Sequence, residues 1–471
     1  MALRIIADSL TNAAEALLAF HQAGLDTRID TGESKEDAAG WVVAQALGVG
    51  EVTSEGVVLA LGPRLLPQPP MMVFDGSGLT PLVALVREVL SRSPARLALL
   101  TTGHPAKALS TMGGYALDGG LPVSLTERGR PASGPPPDPY LPSRLAEGGL
   151  RVWTLSWSEL QRGPEATAAQ FLAASAAEAQ VIVADAADSR DLDLLAHVAL
   201  GSPFPVMPAG TAGLAAAWAR ALARRVVRVG PPRLADALAP GTVASVLDAE
   251  GLPDPQRLRR LLPGHRPVLS LCGSVRPSAL EQATHAAGSD GPLVLDASAL
   301  LFDESPEDQL PRAWHDVLGH AQGRMATGRD VVLTSARSAE DRDRVLAWGR
   351  AAGLPETAIR ERLCRALGRV VRHLTERTAP AGLILTGGET AAAVWQAMDW
   401  RQGFLEGAAE VGLPILRPRP GDLRVLIRAG GAGRAPDLGR AIDLLRRLDG
   451  LERHQGPMHA RPSPRSDLPP G

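Results

Sequence analysis

Short apolar runs alternate along this chain with stretches in which apolar residues recur every three or four positions. That is the pattern of parallel strands joined by crossover helices. Strands are predicted at 3–7, 57–61, 71–74, 96–100 and 181–184 in the first half, and at 268–272, 293–295, 331–334, 383–386 and 423–427 in the second. After a glycine pair, Ala391, Val394, Trp395 and Met398 fall at i, i+3, i+4 and i+7 and predict an apolar helix stripe. Leu280, Ala283, Thr284 and Ala287 predict another, and Asn12 with Glu15 has the spacing of a capping box. Residues 226–267, broken by Pro231, Pro232, Pro240, Pro253, Pro255 and Pro263, read as an interdomain connection. The expected fold is α/β, with two doubly wound domains of mostly parallel sheet, 1–225 and 268–450, and a cleft between them. Residues 131–142 read as a proline-rich surface loop and 451–471 as a disordered tail.

Composition narrows the function classes. The 471 residues are 45% hydrophobic with a mean hydropathy of zero, enough for a large core spread over two or three domains. A net charge of −2 and a pI near 6.6 leave no electrostatic footprint for nucleic acid or an anionic membrane. Cys272 and Cys364 are the only cysteines and lack metal-ligand spacing, and no pair among the ten histidines has it either. No apolar run reaches the length of a membrane span and the N-terminus is too short for a signal h-region, so a cytoplasmic protein is expected. The only lysines, Lys35 and Lys107, stand outside any Gly-x-x-x-x-Gly-Lys-Ser/Thr context, which excludes a Walker P-loop.

The candidate chemistry sits at strand ends, where ligands of open α/β sheets collect. Gly382-Leu383-Ile384-Leu385-Thr386-Gly387-Gly388-Glu389-Thr390 runs from strand through two glycines into a helix, and Arg428-Ala429-Gly430-Gly431-Ala432-Gly433 follows another strand. Such turns bind phosphate, because glycine lets backbone N–H groups come close and the helix dipole favours an anion. The plain alternative is two ordinary βα loops. Ser274, after the strand 268–272, stands where a hydroxyl would meet a phosphate. Asp8, Asp75 and Asp185 end strands of the first half and are expected to converge on one cleft, the alternative for each being a carboxylate that braces a turn. His104 lies in the loop after 96–100, as a substrate ligand or a general base, the alternative being the structural or solvent-exposed role more common for a lone loop histidine.

These motifs resemble those of the four-carbon acid sugar kinases. Leu271-Cys272-Gly273-Ser274-Val275, with Gln282 in the next helix, is similar to that family's Ser-Gly-Ser strand end. Thr386-Gly387-Gly388-Glu389-Thr390-Ala391 resembles Thr-Gly-Gly-Asp-Thr, and Arg428-Ala429-Gly430-Gly431-Ala432-Gly433 resembles Lys-Ser-Gly-Gly-Phe-Gly. Ala7-Asp8-Ser9-Leu10-Thr11-Asn12-Ala13 resembles Ala-Asp-Asp-hydrophobic-Thr-Gly-Ala, and Gly113-Gly114-Tyr115-Ala116-Leu117-Asp118-Gly119 resembles Asn-Gly-x-x-x-x-x-Gly. The resemblance covers nearly the whole chain. It implies an N-terminal domain that binds a sugar acid such as threonate, erythronate or a 3-oxo-tetronate, and a C-terminal domain that binds ATP. It assigns the nucleotide to Ser274, Gly387, Gly388, Glu389, Thr390, Gly430 and Gly431, with Mg²⁺ carried on the phosphates rather than by a protein site. Substrate contacts fall to Asp8, Ser9, Asp75 and His104, with Asp8 catalytic. A homodimer is the expected assembly.

The departures lie in the first half. Ser9 replaces the family's second aspartate, Asn12 its glycine, and Phe74-Asp75-Gly76-Ser77-Gly78-Leu79-Thr80 lacks the cations of Lys-Lys-x-Asp-Ser-Thr-Leu-Arg-Gly. Three readings follow: an ATP-dependent sugar-acid kinase; a degenerate relative that binds nucleotide or metabolite without turnover; and a dinucleotide oxidoreductase. The last is disfavoured because no Gly-x-Gly-x-x-Gly follows the first strand.

Overall fold

The computed structural model describes residues 3–7, 9–25, 27–30, 42–46, 71–73, 82–126, 128–129, 136, 138–224, 266–302, 309–409, 413–430 and 433–455. The strand predicted at 57–61, Asp8, the segment 74–80 with Asp75, Gly431, half of 131–142, nearly all of the connection 226–267 and residues 456–471 lie outside them.

The first half supplies β1 (Leu3–Ala7), β2 (Thr27–Asp30), β3 (Val42–Ala46), β4 (Met71–Val73), β5 (Leu97–Thr101), β6 (Leu109–Met112), β7 (Tyr115–Asp118), β8 (Leu121–Pro122), β9 (Val152–Leu155), β10 (Val181–Ala184) and β11 (Val206–Gly210). The second supplies β12 (Val268–Cys272), β13 (Leu293–Val294), β14 (Val331–Thr334), β15 (Gly382–Thr386), β16 (Gln402–Ala409), β17 (Leu413–Arg419) and β18 (Val425–Arg428). The strands β2-β3-β1-β4-β11-β5-β10-β9 form one parallel run and β13-β14-β12-β15-β18 another, as expected for two doubly wound α/β halves.

The two runs are joined. β18 continues into the antiparallel strands β17 and β16, and β16 pairs antiparallel with β2 through Gln402, Gly403 and Phe404. One fifteen-stranded sheet therefore crosses the molecule, and its two parallel runs point in opposite senses. At the seam Gly403 is glycine because a Cβ there would stand 2.6 Å from the Trp395 ring.

Helix α1 (Leu10–Gln22) explains how the halves hold together. It packs on β1 to β3 and the helix Ala212–Ala223 of the first half, and on β16 to β18 and the helix Gly388–Ala397 of the second. A helix covered on several sides must be apolar nearly all round, and Leu10, Ala13, Ala14, Ala16, Leu17, Leu18 and Phe20 are all buried. One hydrophobic cluster consequently runs from Ile5 and Leu17 through Trp395 to Ile427.

Several elements differ from the sequence pattern. β11, Val206-Met207-Pro208-Ala209-Gly210, was not predicted, since a proline and a glycine argue against a central strand; it nevertheless lies between β4 and β5, fully buried. β16 and β17 are antiparallel strands, β17 buried at four of its seven residues, whose Gly, Pro and Arg residues hide the strand pattern. The N-cap of α1 is Ser9, extended at φ −153° and ψ 159°, whose hydroxyl accepts from the Asn12 N–H at 3.2 Å; Asn12 is inside the helix and heads no capping box. On the helix Pro277–Ala287 the buried face is Ala279, Gln282 and Ala283, with Thr284 exposed, one position off the predicted stripe. The helix Asp437–Gln455 continues past the expected end of order at residue 451.

Candidate functional site

β12, β15 and β18 are neighbours, and their register puts Cys272 beside Thr386 and Thr386 beside Arg428. Their carboxyl ends thus bring the three glycine-bearing loops side by side. The Gly273 N–H donates to the Thr386 carbonyl at 3.1 Å and the Gly387 N–H to the Arg428 carbonyl at 3.0 Å, carrying the ladder one step past the strands. Gly387 then turns the chain at φ 110°, a region open to glycine. It is the N-cap of the helix Gly388–Ala397 and offers no side chain, so no side chain caps the first helical turn.

The loops interlock. A Cβ on Gly430 would overlap the Ser274 side chain, and one on Gly273 would overlap the Thr390 hydroxyl. Ser274, Gly387, Gly388, Thr390 and Gly430 therefore lie together as one cradle of backbone at the strand ends. The Ser274 hydroxyl also accepts from the Arg276 N–H at 3.3 Å. Glu389, half-exposed in the same first turn, is held by Arg360 at 3.4 Å. Gly431 lies outside the described residues.

Beneath the cradle lie groups to which the sequence assigns no role of their own. Arg428, 2% exposed, would meet a Cβ on Gly433 at 2.6 Å, with Asp437 Oδ2 at 2.7 Å and Gln282 Nε2 at 3.5 Å from the same point. Burial pulls the guanidinium pKa down, and the neighbouring Asp437 carboxylate opposes it. Arg428 thus lies under the Gly433 turn with Asp437 close by. Burial also pushes the Cys272 thiol up to about 11, against its contact with the Ser274 carbonyl. Cys364 is pushed up to about 12 by burial and then by Glu389, with the Thr390 hydroxyl opposing. No motif marks Arg360 or Cys364, because their helix Glu356–Arg377 meets the cradle only through tertiary packing.

The first half reaches the cradle through α1. A Cβ on Gly388 would lie 3.5 Å from Ser9 Cβ, 3.5 Å from Thr11 Oγ1 and 3.9 Å from Ser9 Oγ. His104 follows β5, where its N–H donates to the Leu109 carbonyl at 2.9 Å; the adjoining turn is tied to α1 by the Lys107–Glu15 pair at 2.5 Å.

Asp185 does not converge with the β1 end. Four strand steps separate β10 from β1, about 19 Å at ~4.8 Å per step. Its buried carboxylate accepts from the N–H groups of Gly113 at 2.9 Å, Gly114 at 3.0 Å and Trp157 at 3.0 Å. It braces the β6–β7 turn, where Gly113 and Gly114 both have positive φ. Among the described residues no group of three His, Cys, Asp or Glu is placed to hold a metal, and no helix is long and apolar enough to cross a membrane.

Family models described as a sugar-binding N-terminal domain and a nucleotide-binding C-terminal domain match residues 79–218 and 269–436. The chain belongs to the four-carbon acid sugar kinase family. A D-threonate kinase of Salmonella typhimurium is 26% identical over 452 residues, 92% of this chain and 96% of that one. A 3-oxo-tetronate kinase of Methylobacterium radiotolerans is 26% identical over 351 residues, 72% and 71% of the two chains. A crystal structure from Salmonella typhimurium LT2 shares the fold with a TM-score of 0.64 at 16% identity, covering 93% of this chain and 98% of that one.

Proposed function

We propose that this protein is an ATP-dependent kinase that phosphorylates a small four-carbon sugar acid of the threonate, erythronate or 3-oxo-tetronate type. The observation that carries the reading is the junction itself: an uncapped helix N-terminus between two glycine turns in the nucleotide half, directly against the start of α1 in the sugar half. The cradle fits a nucleotide phosphate, since a methyl-sized space is left at Gly388 and no side chain caps the first turn. Ser274, Gly387, Gly388, Glu389, Thr390, Gly430 and Gly431 would hold ATP, with Mg²⁺ entering on its phosphates. ATP supplies the phosphoryl group; the protein supplies position and charge.

On the sugar side Asp8 would accept the proton of the attacking hydroxyl, and Ser9, Asp75 and His104 would line the acid. Ser9 favours a second reading, a relative that binds without turnover: its hydroxyl is engaged in capping α1 and supplies no carboxylate. A cytoplasmic location and a homodimer complete the proposal.

ATP consumption by the purified chain, measured against a panel of four-carbon acids, separates the two readings. Turnover with any of them supports the kinase, and Asp8→Asn should then lower it by about 10²–10⁴-fold while ATP affinity holds. Nucleotide binding with no phosphoryl transfer across the panel leaves the non-catalytic binder.

A further inference from the structure

Two helices from different halves meet N-terminus to N-terminus in this structure. The first residues of α1 lie in contact distance of the first residue of the helix Gly388–Ala397. Each terminus carries a partial positive charge from its aligned peptide dipoles, so placing one against the other is unfavourable unless an anion lies between them. The first turn of α1 contains no acidic residue, and Glu389 in the other first turn is paired with Arg360.

Thr11 supplies an independent observation at this point. It is 3% exposed, and its hydroxyl oxygen is shielded from water without a hydrogen-bond partner. A buried helical threonine ordinarily bonds the carbonyl four residues back, but Thr11 is the second residue of α1 and that position, Ala7, belongs to β1. Leaving a buried hydroxyl unpaired is unfavourable, so an unpaired one marks a place where a ligand is expected to supply the partner. Thr11 Oγ1 and Ser9 Oγ border the methyl-sized space at Gly388, which would accommodate one oxygen of an anion.

We infer that the Thr11 hydroxyl donates a hydrogen bond to a peripheral oxygen of the phosphoryl group as it passes from ATP to the acid, between the two opposed helix ends. The inference rests on the kinase reading and extends it to a residue on the sugar side. During transfer the bond from the γ-phosphorus to the ADP oxygen breaks as the bond to the acid's hydroxyl oxygen forms. That hydroxyl's proton leaves to the base, while Thr11 keeps its own. Thr11 is thus a phosphoryl-positioning residue that senses the γ-phosphoryl and not the rest of the nucleotide. Its burial keeps water from competing for the group.

The test compares wild type, Thr11→Val and Thr11→Ser in the full chain by calorimetric titration with ADP and with a non-hydrolysable ATP analogue, both with Mg²⁺, and by melting without ligand. Thr11→Val should bind ADP as wild type does and bind the analogue about ten- to a hundredfold more weakly, the worth of a hydrogen bond to a charged group. Its unliganded melting temperature should hold or rise, because an unpaired buried hydroxyl has been removed, and Thr11→Ser should restore analogue affinity. Equal analogue affinity in wild type and Thr11→Val would overturn the inference and leave the kinase reading standing. A joint loss of ADP and analogue affinity with a lowered melting temperature would also overturn it, by making Thr11 a packing residue. Wild type that binds neither nucleotide would overturn the kinase reading and the inference together.

Discussion

The hydroxyl of Thr390 occupies the place where a Cβ on Gly273 would stand, so the end of β12 and the first turn of the helix Gly388–Ala397 are locked together without room for a methyl group. Thr390 Cβ and Cγ2 would lie only 2.9 Å and 3.1 Å from the same point. Gly273→Ala must therefore push the helix start away from the strand. Overpacking of this kind costs about 1–3 kcal/mol, and here the displaced element is the one proposed to face the phosphate. A lowered melting temperature and weakened ADP affinity are expected together, and Thr390→Ala in the same chain should recover part of both. Strictly additive losses in that double-mutant cycle would show that the two residues do not share the contact.

Asp185 tests a different link, between a buried charge and local structure. Three backbone N–H groups converge on it, and hydrogen bonds to a charged acceptor are the strong ones. Asp185→Ala leaves all three donors without that partner and should reduce stability by about 3 kcal/mol or more in urea unfolding. Nucleotide affinity should hold in the fraction that stays folded, because the cradle belongs to the other half. A selective loss of nucleotide binding at unchanged stability would contradict the bracing role.

The strand-to-helix turn of the second half was legible in the sequence because its signals are local. Strand, two glycines and a helix start follow one another at Thr386-Gly387-Gly388, and the apolar stripe Ala391, Val394 and Trp395 is buried as its period requires. What was illegible is what tertiary packing decides. Asp185 ends a strand in the sequence as Asp8 does, and only the strand order shows that it stands four strands from the β1 end and braces a turn. The seam between β2 and β16 pairs residues some 370 positions apart, such as Ile29 with Gly403, so no periodicity could announce it. The buried face of the helix Pro277–Ala287 shifts by one residue because Gln282 turns inward toward the Gly433 loop, a polar residue that an apolar-stripe rule passes over. Thr11 looked like one member of a motif until Gly388, far along the chain, came to face it.

The two thiols give a pH signature. Both are raised in the fold above the ordinary value of 9.0, Cys272 to about 11 and Cys364 to about 12. Below pH 9 they are neutral in folded and unfolded chain alike, and their contribution is fully present. As pH rises from 9 toward 11 the unfolded chain ionises them while the folded one does not, so stability falls by about 1.4 kcal/mol per pH unit for each thiol. Urea midpoints measured from pH 8 to 11 should decline in wild type and decline less steeply in Cys272→Ala/Cys364→Ala. At pH 8 neither thiol should react with an alkylating reagent until the chain unfolds. Parallel pH profiles for the two proteins would show that the thiols are not held neutral.

Gly388 separates the cost to the fold from the cost to the ligand. It is the first residue of its helix and is not among the positive-φ glycines, unlike Gly387, so alanine is conformationally acceptable there. The added Cβ would touch Ser9 and Thr11 at 3.5 Å, ordinary van der Waals contact, and alanine is a better helix former than glycine by up to about 1 kcal/mol. Gly388→Ala should hold or raise the unliganded melting temperature. The same methyl group would fill the space assigned to a phosphoryl oxygen, so the stabilisation that ATP confers on wild type should shrink or vanish, and ADP, which lacks the third phosphate, should lose less. A variant that is stabilised by ATP as fully as wild type would move the phosphate away from this helix end, and one that unfolds would mean that the contact between Gly388 and α1 is tighter than 3.5 Å implies.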